Sequence, residues 1–402
     1  MSKKKKGWLN RNILGMGLAS LFSDMNHEMA SSVLPIFLST VLGAPAFALG
    51  LIEGVADGVS TLFEVWSGWY SNKIGKRKGL AAIGYLITAI SKGSFALATN
   101  WWHILIGRTA GWIGWSIRSP TRDALLSEST SKKTVGRAFA FHRTMDTLGA
   151  ILGPLIAFLL LSHVPIRTIF LVSLVPGIFA FISILTLVKE KKKKSNDKNM
   201  LLSVRHLSPK FLRFLIPVGL FGISNFAPTL LILRAQDLLS PSLGAIGAGA
   251  FAIGLYTFSN VVYAVVSYPI GVLSDKYDKK TILSIGYFIF GLLCLGFIFT
   301  GGSIIILGLL FALMGIYTAI IESSQPALAS MLISRKLRGT GFGVMSAIDG
   351  IGDFLSSIIV GLLWAITSPA IGLGFGGALA IAAAVSMFTI NLNGKNDKSD
   401  VI

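Results

Sequence analysis

The sequence is poor in charged residues and almost free of cysteine. Only 13% of its 402 residues are charged, whereas 53% are hydrophobic. A soluble domain of this length needs far more polar surface, so the composition excludes an ordinary globular protein. The single cysteine, Cys294, excludes an internal disulfide and a metal site built on cysteines. No nucleotide-binding loop and no nucleophile–base motif is present, so we expect neither an enzyme nor an ATP-driven pump, and no cofactor or bound metal.

Long apolar runs recur along the whole chain. A helix needs about 20 mostly apolar residues to cross the hydrocarbon core of a membrane. Twelve runs of this kind predict transmembrane helices at residues 12–38, 46–70, 79–98, 102–122, 137–161, 166–188, 211–236, 245–272, 281–300, 303–326, 339–365 and 369–391. The first run is too long for a cleavable signal peptide. We therefore predict an all-α membrane protein with twelve transmembrane helices in two pseudo-symmetric six-helix bundles.

The net charge of +18 follows the predicted loops. If the N-terminus is cytoplasmic, 31 of the 36 Lys and Arg fall on that side, and only Arg167 and Arg234 on the other. This bias predicts that both termini are cytoplasmic, in the inner membrane of a bacterium. The basicity then reflects topology, and we expect no nucleic-acid partner. We expect the basic segment around KEKKKKSNDK to contact anionic lipid headgroups, and the protein to be a monomer.

Two segments recur at the same offset of 203 residues. The stretch from Gly68 to Lys78 has a counterpart at 271–280, and the Gly136–Gly149 pattern returns at 339–352. This repeat indicates an internal duplication, with a first bundle at 1–188, a basic linker at 189–210 and a second bundle at 211–402. Parallel repeats of this kind place a transporter's substrate site near the bilayer midplane, between the halves.

These segments are similar to motifs of the major facilitator superfamily. The family's loop signature, G-x3-D-[RK]-x-G-x-[RK]-[RK], matches Gly68 to Lys78 except that Asn72 replaces the acid. The stretch Gly149-x3-Gly153-Pro154 resembles the core of the motif typical of the family's antiporters. Glycines allow helix backbones to approach closely, and proline bends a helix. The resemblance implies a cytoplasmic gate at Gly68, Asn72, Gly75, Arg77, Arg118, Arg122, Asp123 and Asp275.

Nine of the eighteen acids fall inside predicted helices. An ionised side chain at mid-bilayer costs at least ~2.5–3.5 kcal/mol, so these residues are expected to face the bundle interior. Asp24 and Glu28 share one helix face at about the depth of Arg108, which predicts two acids near one arginine. The candidate residues for proton coupling or for the substrate cavity are Asp24, His27, Glu28, Glu53, Asp57, Arg108, His142, Asp146, Asp349 and Asp353.

Two further contacts are predicted from helix position. Lys92, midway along the third span, is the expected partner of Glu53 or Asp57. Asp146 and Asp349 occupy duplicated positions, so symmetry predicts equal depths on opposite sides of the cavity.

The sequence therefore predicts a secondary active transporter that moves a small molecule by alternating access. Proton-coupled efflux of an amphipathic compound or a siderophore-like metabolite leads, because acids within the spans outnumber bases nine to three. An importer or proton symporter is the alternative, since Arg108 and Arg143 could bind a carboxylate or phosphate. His27 and His142, near acids, leave a transition-metal permease open. A non-transporting protein on a transporter scaffold is a fourth reading, and the buried acids argue against it.

Overall fold

The described chain is built almost wholly from helices. The structure, a computed structural model, describes residues 9–74, 76–130, 134–190, 206–334 and 337–392, without the side chains at 65, 68, 69, 72–74, 275, 338 and 339. The helices are α1 (Arg11–Ile36), α2 (Ala46–Ile74), α3 (Lys78–Ser94), α4 (Trp101–Glu128), α5 (Val135–Leu161), α6 (Ile166–Leu187), α7 (Pro209–Ser224), α8 (Pro228–Lys276), α9 (Lys279–Phe299), α10 (Ile304–Leu332), α11 (Arg338–Ile366) and α12 (Pro369–Thr389).

Helices α7 and α8 together supply two of the predicted spans. α8 changes direction at Gly244, whose φ of 68° lies in the left-handed region that favours glycine. The seventh span is thus α7 followed by 228–243, and the eighth is 245–276. Nine stretches of the described residues are long and apolar enough to cross a membrane, and one of them covers both of these spans. With the more polar α1 and α4, the twelve-helix prediction is confirmed.

Local sequence signals fix where helices begin. Asn10 caps α1 by accepting from the backbone amides of Asn12 and Ile13, and Ser208 caps α7 through the amide of Phe211. Asp278, which replaces the second glycine of the loop signature, caps α9 by accepting from the amide of Thr281 at 3.2 Å. The departure from the signature at this position therefore has a local structural role.

Each half packs in the same way. α5 lies against α1 in the first half, and α11 lies against α7 in the second. Gly149 meets the backbone of α1, while Gly352, 203 residues later, meets the backbone of α7 at Gly222. The two bundles are therefore pseudo-symmetric, as predicted.

The halves touch at the ends of the helices opposite the termini. α2 lies against α11, where Gly54 packs on the backbone of Phe354, and both α1 and α5 contact α8. On the same side, Gln236 Nε2 donates to Ser39 Oγ at 3.0 Å. These contacts close the molecule on that side and leave a cavity between the halves nearer to the termini.

Candidate transport site between the halves

The cavity has two adjoining lobes, of about 450 and 230 Å³. Glu28, Pro228, Tyr256 and Glu322 line both, so the lobes form one continuous site. The larger lobe also contains His27, Glu53, Asp57, Arg108 and Asp353, and the smaller one contains Asp24 and Asp146. Eight of the ten predicted cavity residues thus line a common space; His142 and Asp349 line neither of these lobes.

One wall of the larger lobe is the break between α7 and α8. Ala227 N donates to Ser357 Oγ at 3.1 Å, and Ser356 Oγ donates to Asn225 O at 3.0 Å. Asn225 Nδ2 lies 3.4 Å from Asp353 Oδ1. Non-helical backbone at membrane depth is tolerated only where protein or a cavity satisfies it. Here α11 provides the polar partners, and the break places Asp353 at the cavity wall.

A buried ion pair stands at the deep end of the larger lobe. Arg108 Nε and Nη2 lie 3.0 and 2.8 Å from Glu53 Oε2, and Arg108 Nη1 donates to Ser31 Oγ at 2.5 Å. Both charged side chains are less than 5% exposed. The guanidinium also lies 5.7 Å from the ring centroid of Trp112, which meets His27 edge to face. His27 is thus an aromatic packing partner at the cavity wall.

The predicted pairing of Lys92 was wrong. Lys92 Nζ is fully buried, has no hydrogen-bond partner among the residues that the structure describes, and lies 5.4 Å from the ring of Phe95. Glu53 pairs with Arg108 instead, because α2 packs directly on α4. Asp57 lines the same lobe one turn further along α2.

The acids of α1 also have partners that differ from those predicted. Neither is paired with Arg108: Asp24 lies 3.7 Å from Arg118, and Glu28 accepts from Tyr256 of α8 at 2.9 Å. Two arginines of α4 point to different neighbours: Arg108 faces α2, whereas Arg118, two to three turns further along α4, faces α1. The Glu28–Tyr256 bond joins the two halves across the cavity.

Asp24 meets a second carboxyl group rather than a single cation. The carboxyl groups of Asp24 and Asp146 of α5 face each other across the tight α1–α5 contact. Ser20 also donates to Asp146, and His142 Nδ1 lies 3.7 Å from it. The first half thus contains a carboxyl pair with Arg118 beside it at the edge of the smaller lobe.

The antiporter-like glycines create this approach. A Cβ added at Gly149 would lie 3.0 Å from the Cβ of Asp24, and one at Gly153 would lie 3.1 Å from the Cβ of Glu28. Pro154 is buried in the same stretch of α5. The motif therefore holds α5 against the acidic face of α1.

The duplicated carboxylates have different environments. Asp146 lines the smaller lobe, whereas Asp349 accepts from Gln325 Nε2 at 2.8 Å, and Gln325 Oε1 accepts from Tyr287 at 3.0 Å. The expected face-to-face placement across the cavity is therefore not found among the described residues. Gln325 stands 203 residues after Arg122, so a neutral amide replaces an arginine in the second half.

An exposed ion pair spans the mouth of the smaller lobe. Arg143 Nη2 of α5 lies 3.0 Å from Glu322 Oε2 of α10, and Tyr263 donates to the same oxygen at 2.5 Å. The two charged side chains are 62% and 43% exposed. The bond joins the halves in a part of the cavity that solvent reaches.

The predicted gate residues fall into separate places. Arg118 is buried beside Asp24, while Arg122 Nε donates to the adjacent Asp123 at 3.0 Å, and the gate role of these residues stays a prediction. Arg77 pairs with Glu128 at the end of α4. Gly75 and the side-chain positions of Gly68, Asn72 and Asp275 lie outside the described residues.

Sequence reasoning missed the contribution of α8. Tyr256, Asn260 and Tyr263 line the smaller lobe. Their spacing of four and three residues places them on one face of a helix, and such a polar stripe in an apolar span is the signal that could have identified them. Among the described residues, no group of three or more His, Cys, Asp or Glu could hold a metal ion.

Comparison with known proteins gives the family. The chain is 34% identical over 387 residues to MJ1317 of Methanocaldococcus jannaschii, an uncharacterized MFS-type transporter, covering 95% of each. It is 25% identical to the multidrug resistance protein MdtG of Escherichia fergusonii, covering 94% and 93%. The fold is similar to the nucleoside transporter NupG (TM-score 0.78, 14% identity, 95% and 100% covered) and to a D-xylose–proton symporter (0.73, 16%, 96% and 99%). The family model of the Major Facilitator Superfamily matches residues 16–258 and 218–400, and the chain therefore belongs to this superfamily of multi-pass membrane transporters.

Proposed function

We propose that this protein exports a small amphipathic cation in exchange for protons, from a cytoplasm that contains both of its termini. The observation that carries the proposal is the charge of the larger lobe. Its charged lining residues are Glu28, Glu53, Asp57, Glu322 and Asp353 against the single cation Arg108. Because Arg108 is already paired with Glu53, the lobe favours a positively charged guest.

The rest of the lining suits an apolar body on that guest. Trp112, Phe226, Ile232 and Tyr256 all line the larger lobe. Aromatic faces attract cations and also bind flat apolar groups, each contact contributing roughly 0.5–2 kcal/mol. A lobe of about 450 Å³ has the size of a small-molecule pocket. These features favour an amphipathic cation over a small inorganic ion.

Proton coupling is assigned to Asp24 and Asp146. Two neighbouring carboxyl groups repel each other when both are ionised, so such a pair favours a shared proton. Arg118 lies beside it and stabilises a remaining negative charge. The pair lines the lobe that adjoins the cation site, so a bound cation and a proton on the pair disfavour each other through their like charge. A proton arriving from outside would release the cargo, and its loss to the cytoplasm would restore binding.

Direction is proposed from relatives and from charge. MdtG, 25% identical, is named a multidrug resistance protein, which is consistent with export. The strong bias of Lys and Arg to the side of the termini supports a cytoplasmic location of that side. The contacts of α2 with α11 then close the outer side, and the cavity faces the compartment from which cargo is collected.

The test uses proteoliposomes with an imposed pH gradient and ethidium as the cationic probe. We expect gradient-driven ethidium transport by the wild type, and its loss in Asp24→Asn and Asp146→Asn. Asp237→Asn is the matched control, because this carboxylate is exposed on α8 and lines neither lobe. Transport that ignores the gradient, or that survives both cavity substitutions, would refute proton coupling through this pair.

A proton symporter that imports a small metabolite is the second candidate. Its support in the fold is general, since the D-xylose–proton symporter shares the architecture at only 16% identity. The arginines that could bind an anionic metabolite, Arg108 and Arg143, are both paired with carboxylates. Accumulation of a sugar or nucleoside by the same vesicles, with no movement of ethidium, would favour this candidate.

A further inference from the structure

The two ion pairs that line the cavity differ greatly in burial. Arg108 and Glu53 are 4% and 3% exposed, and two guanidinium nitrogens contact one carboxylate oxygen. Separating a buried pair leaves an uncompensated charge and is strongly destabilising. Arg143 and Glu322 are 62% and 43% exposed, and a pair of this kind contributes little net stability. Only the second pair can therefore exchange one partner for an incoming charge at small cost.

Glu322 is also the carboxylate best placed to meet a guest. It lines both lobes, so a molecule in either one lies beside it. Tyr263 of α8 donates to Glu322 Oε2 at 2.5 Å, which orients the carboxylate independently of Arg143. The carboxylate thus keeps one neutral donor when the guanidinium leaves.

We propose that Glu322 is a specificity-determining residue that binds the cationic group of the cargo, and that Arg143 occupies this position as an internal substitute while the cavity is empty. This inference rests on the proposed cation transport and names the residue that selects for the positive charge. It assigns Arg143 a competitive role, not an anion-binding one.

Exchange of partners has a consequence for the two halves. The Arg143–Glu322 bond joins α5 of the first half to α10 of the second, so cargo binding removes one bond between the halves at the open mouth. The displaced guanidinium remains in the lobe that also contains Asp146. Cargo binding therefore delivers a positive charge toward the carboxyl pair that we assign to the proton.

Equilibrium binding of ethidium to the detergent-solubilised protein, followed by fluorescence anisotropy, tests the inference. Arg143→Met should tighten binding about two- to fivefold, the factor that corresponds to the loss of an exposed ion pair. Glu322→Gln should weaken binding, and adding Arg143→Met to it should change nothing further. Arg143→Lys, which keeps a cation at the position, should bind close to the wild type. Arg213→Met, an exposed arginine on α7 outside both lobes, controls for the general loss of one positive charge.

The outcomes separate the inference from the function on which it rests. If Arg143→Met leaves the affinity unchanged, or tightens it equally with Glu322→Gln present, Arg143 does not mask Glu322 and the inference is overturned. If the wild type binds neither ethidium nor tetraphenylphosphonium, the proposed cation transport itself fails. Both are supported if the wild type binds the probe, Arg143→Met binds it more tightly, Glu322→Gln binds it more weakly, and the double variant binds it like Glu322→Gln.

Discussion

Removal of Arg108 is the perturbation for which the structure gives the clearest magnitude. Arg108→Met leaves the Glu53 carboxylate, 3% exposed, without the one ion-pair partner that it has in the described part of the chain, and removes a donor to Ser31. Breaking a buried pair by deleting one partner costs ~3–5 kcal/mol, because the remaining charge is buried and uncompensated. Arg143→Met is the matched control, since its pair is exposed and is worth at most about 1 kcal/mol.

The protein contains its own reporter for this measurement. Cys294 is the single cysteine and is fully buried, so a thiol-reactive dye labels it only when the protein unfolds. Thermal labelling curves should show a large fall in midpoint for Arg108→Met and a small one for Arg143→Met. The double variant Glu53→Gln/Arg108→Met should recover most of the loss, because replacing both partners of a buried pair leaves no unpaired charge. Equal midpoints for Arg108→Met and Arg143→Met would show that burial does not set the strength of these pairs, and the reasoning would be refuted.

Three further outcomes follow from individual contacts. Gly149→Val should abolish transport, because its Cβ would enter the tight α1–α5 contact. Gly136→Val on the same helix should be tolerated in the same flux assay, since no described residue lies within 4 Å of its Cβ position. Asp349→Asn should retain gradient-driven ethidium transport, because its carboxylate is bonded to Gln325 within the second half; complete loss would place it in the coupling path. Lys92→Met should raise the midpoint of dye labelling, because the buried Nζ has no hydrogen-bond partner within the described ranges, and a lower midpoint would reveal an interaction that stabilises the ammonium.

The fold was predictable from the sequence because membrane helices carry a strong signal. Each span needs an apolar run of nearly fixed length, and the duplicated segments identify the symmetry. What hydropathy does not predict is the interruption of a span. The seventh apolar run continues through Asn225 and Ala227. The helix can break there because Ser356 and Ser357 of α11 form hydrogen bonds with the backbone groups that the break leaves free.

The sequence predicted which residues line the candidate site better than it predicted which of them contact each other. Buried charge is costly enough that acids in a span must face the interior, so eight predicted residues line the two lobes. Which charges meet depends on how each helix is rotated and on how closely the helices pack. The depth of a residue along its span predicts neither. Lys92 and Arg108 lie at similar depths, yet only Arg108 reaches Glu53. Asp24 meets Asp146 because Gly149 lets α5 approach α1.

The same duplication explains why the proton is assigned to one half. Asp146 and Asp349 are equivalent, but where Gly149 meets α1 beside Asp24, its counterpart Gly352 meets α7 at Gly222 and Ile223, which carry no carboxyl group. A carboxyl pair of the kind formed by Asp24 and Asp146 therefore cannot form in the second half. There the equivalent carboxylate bonds to the neutral Gln325, and the break between α7 and α8 forms one wall of the larger lobe. One ancestral packing arrangement thus supports a carboxyl pair in the first half and, in the second, a helix break that lines the larger lobe.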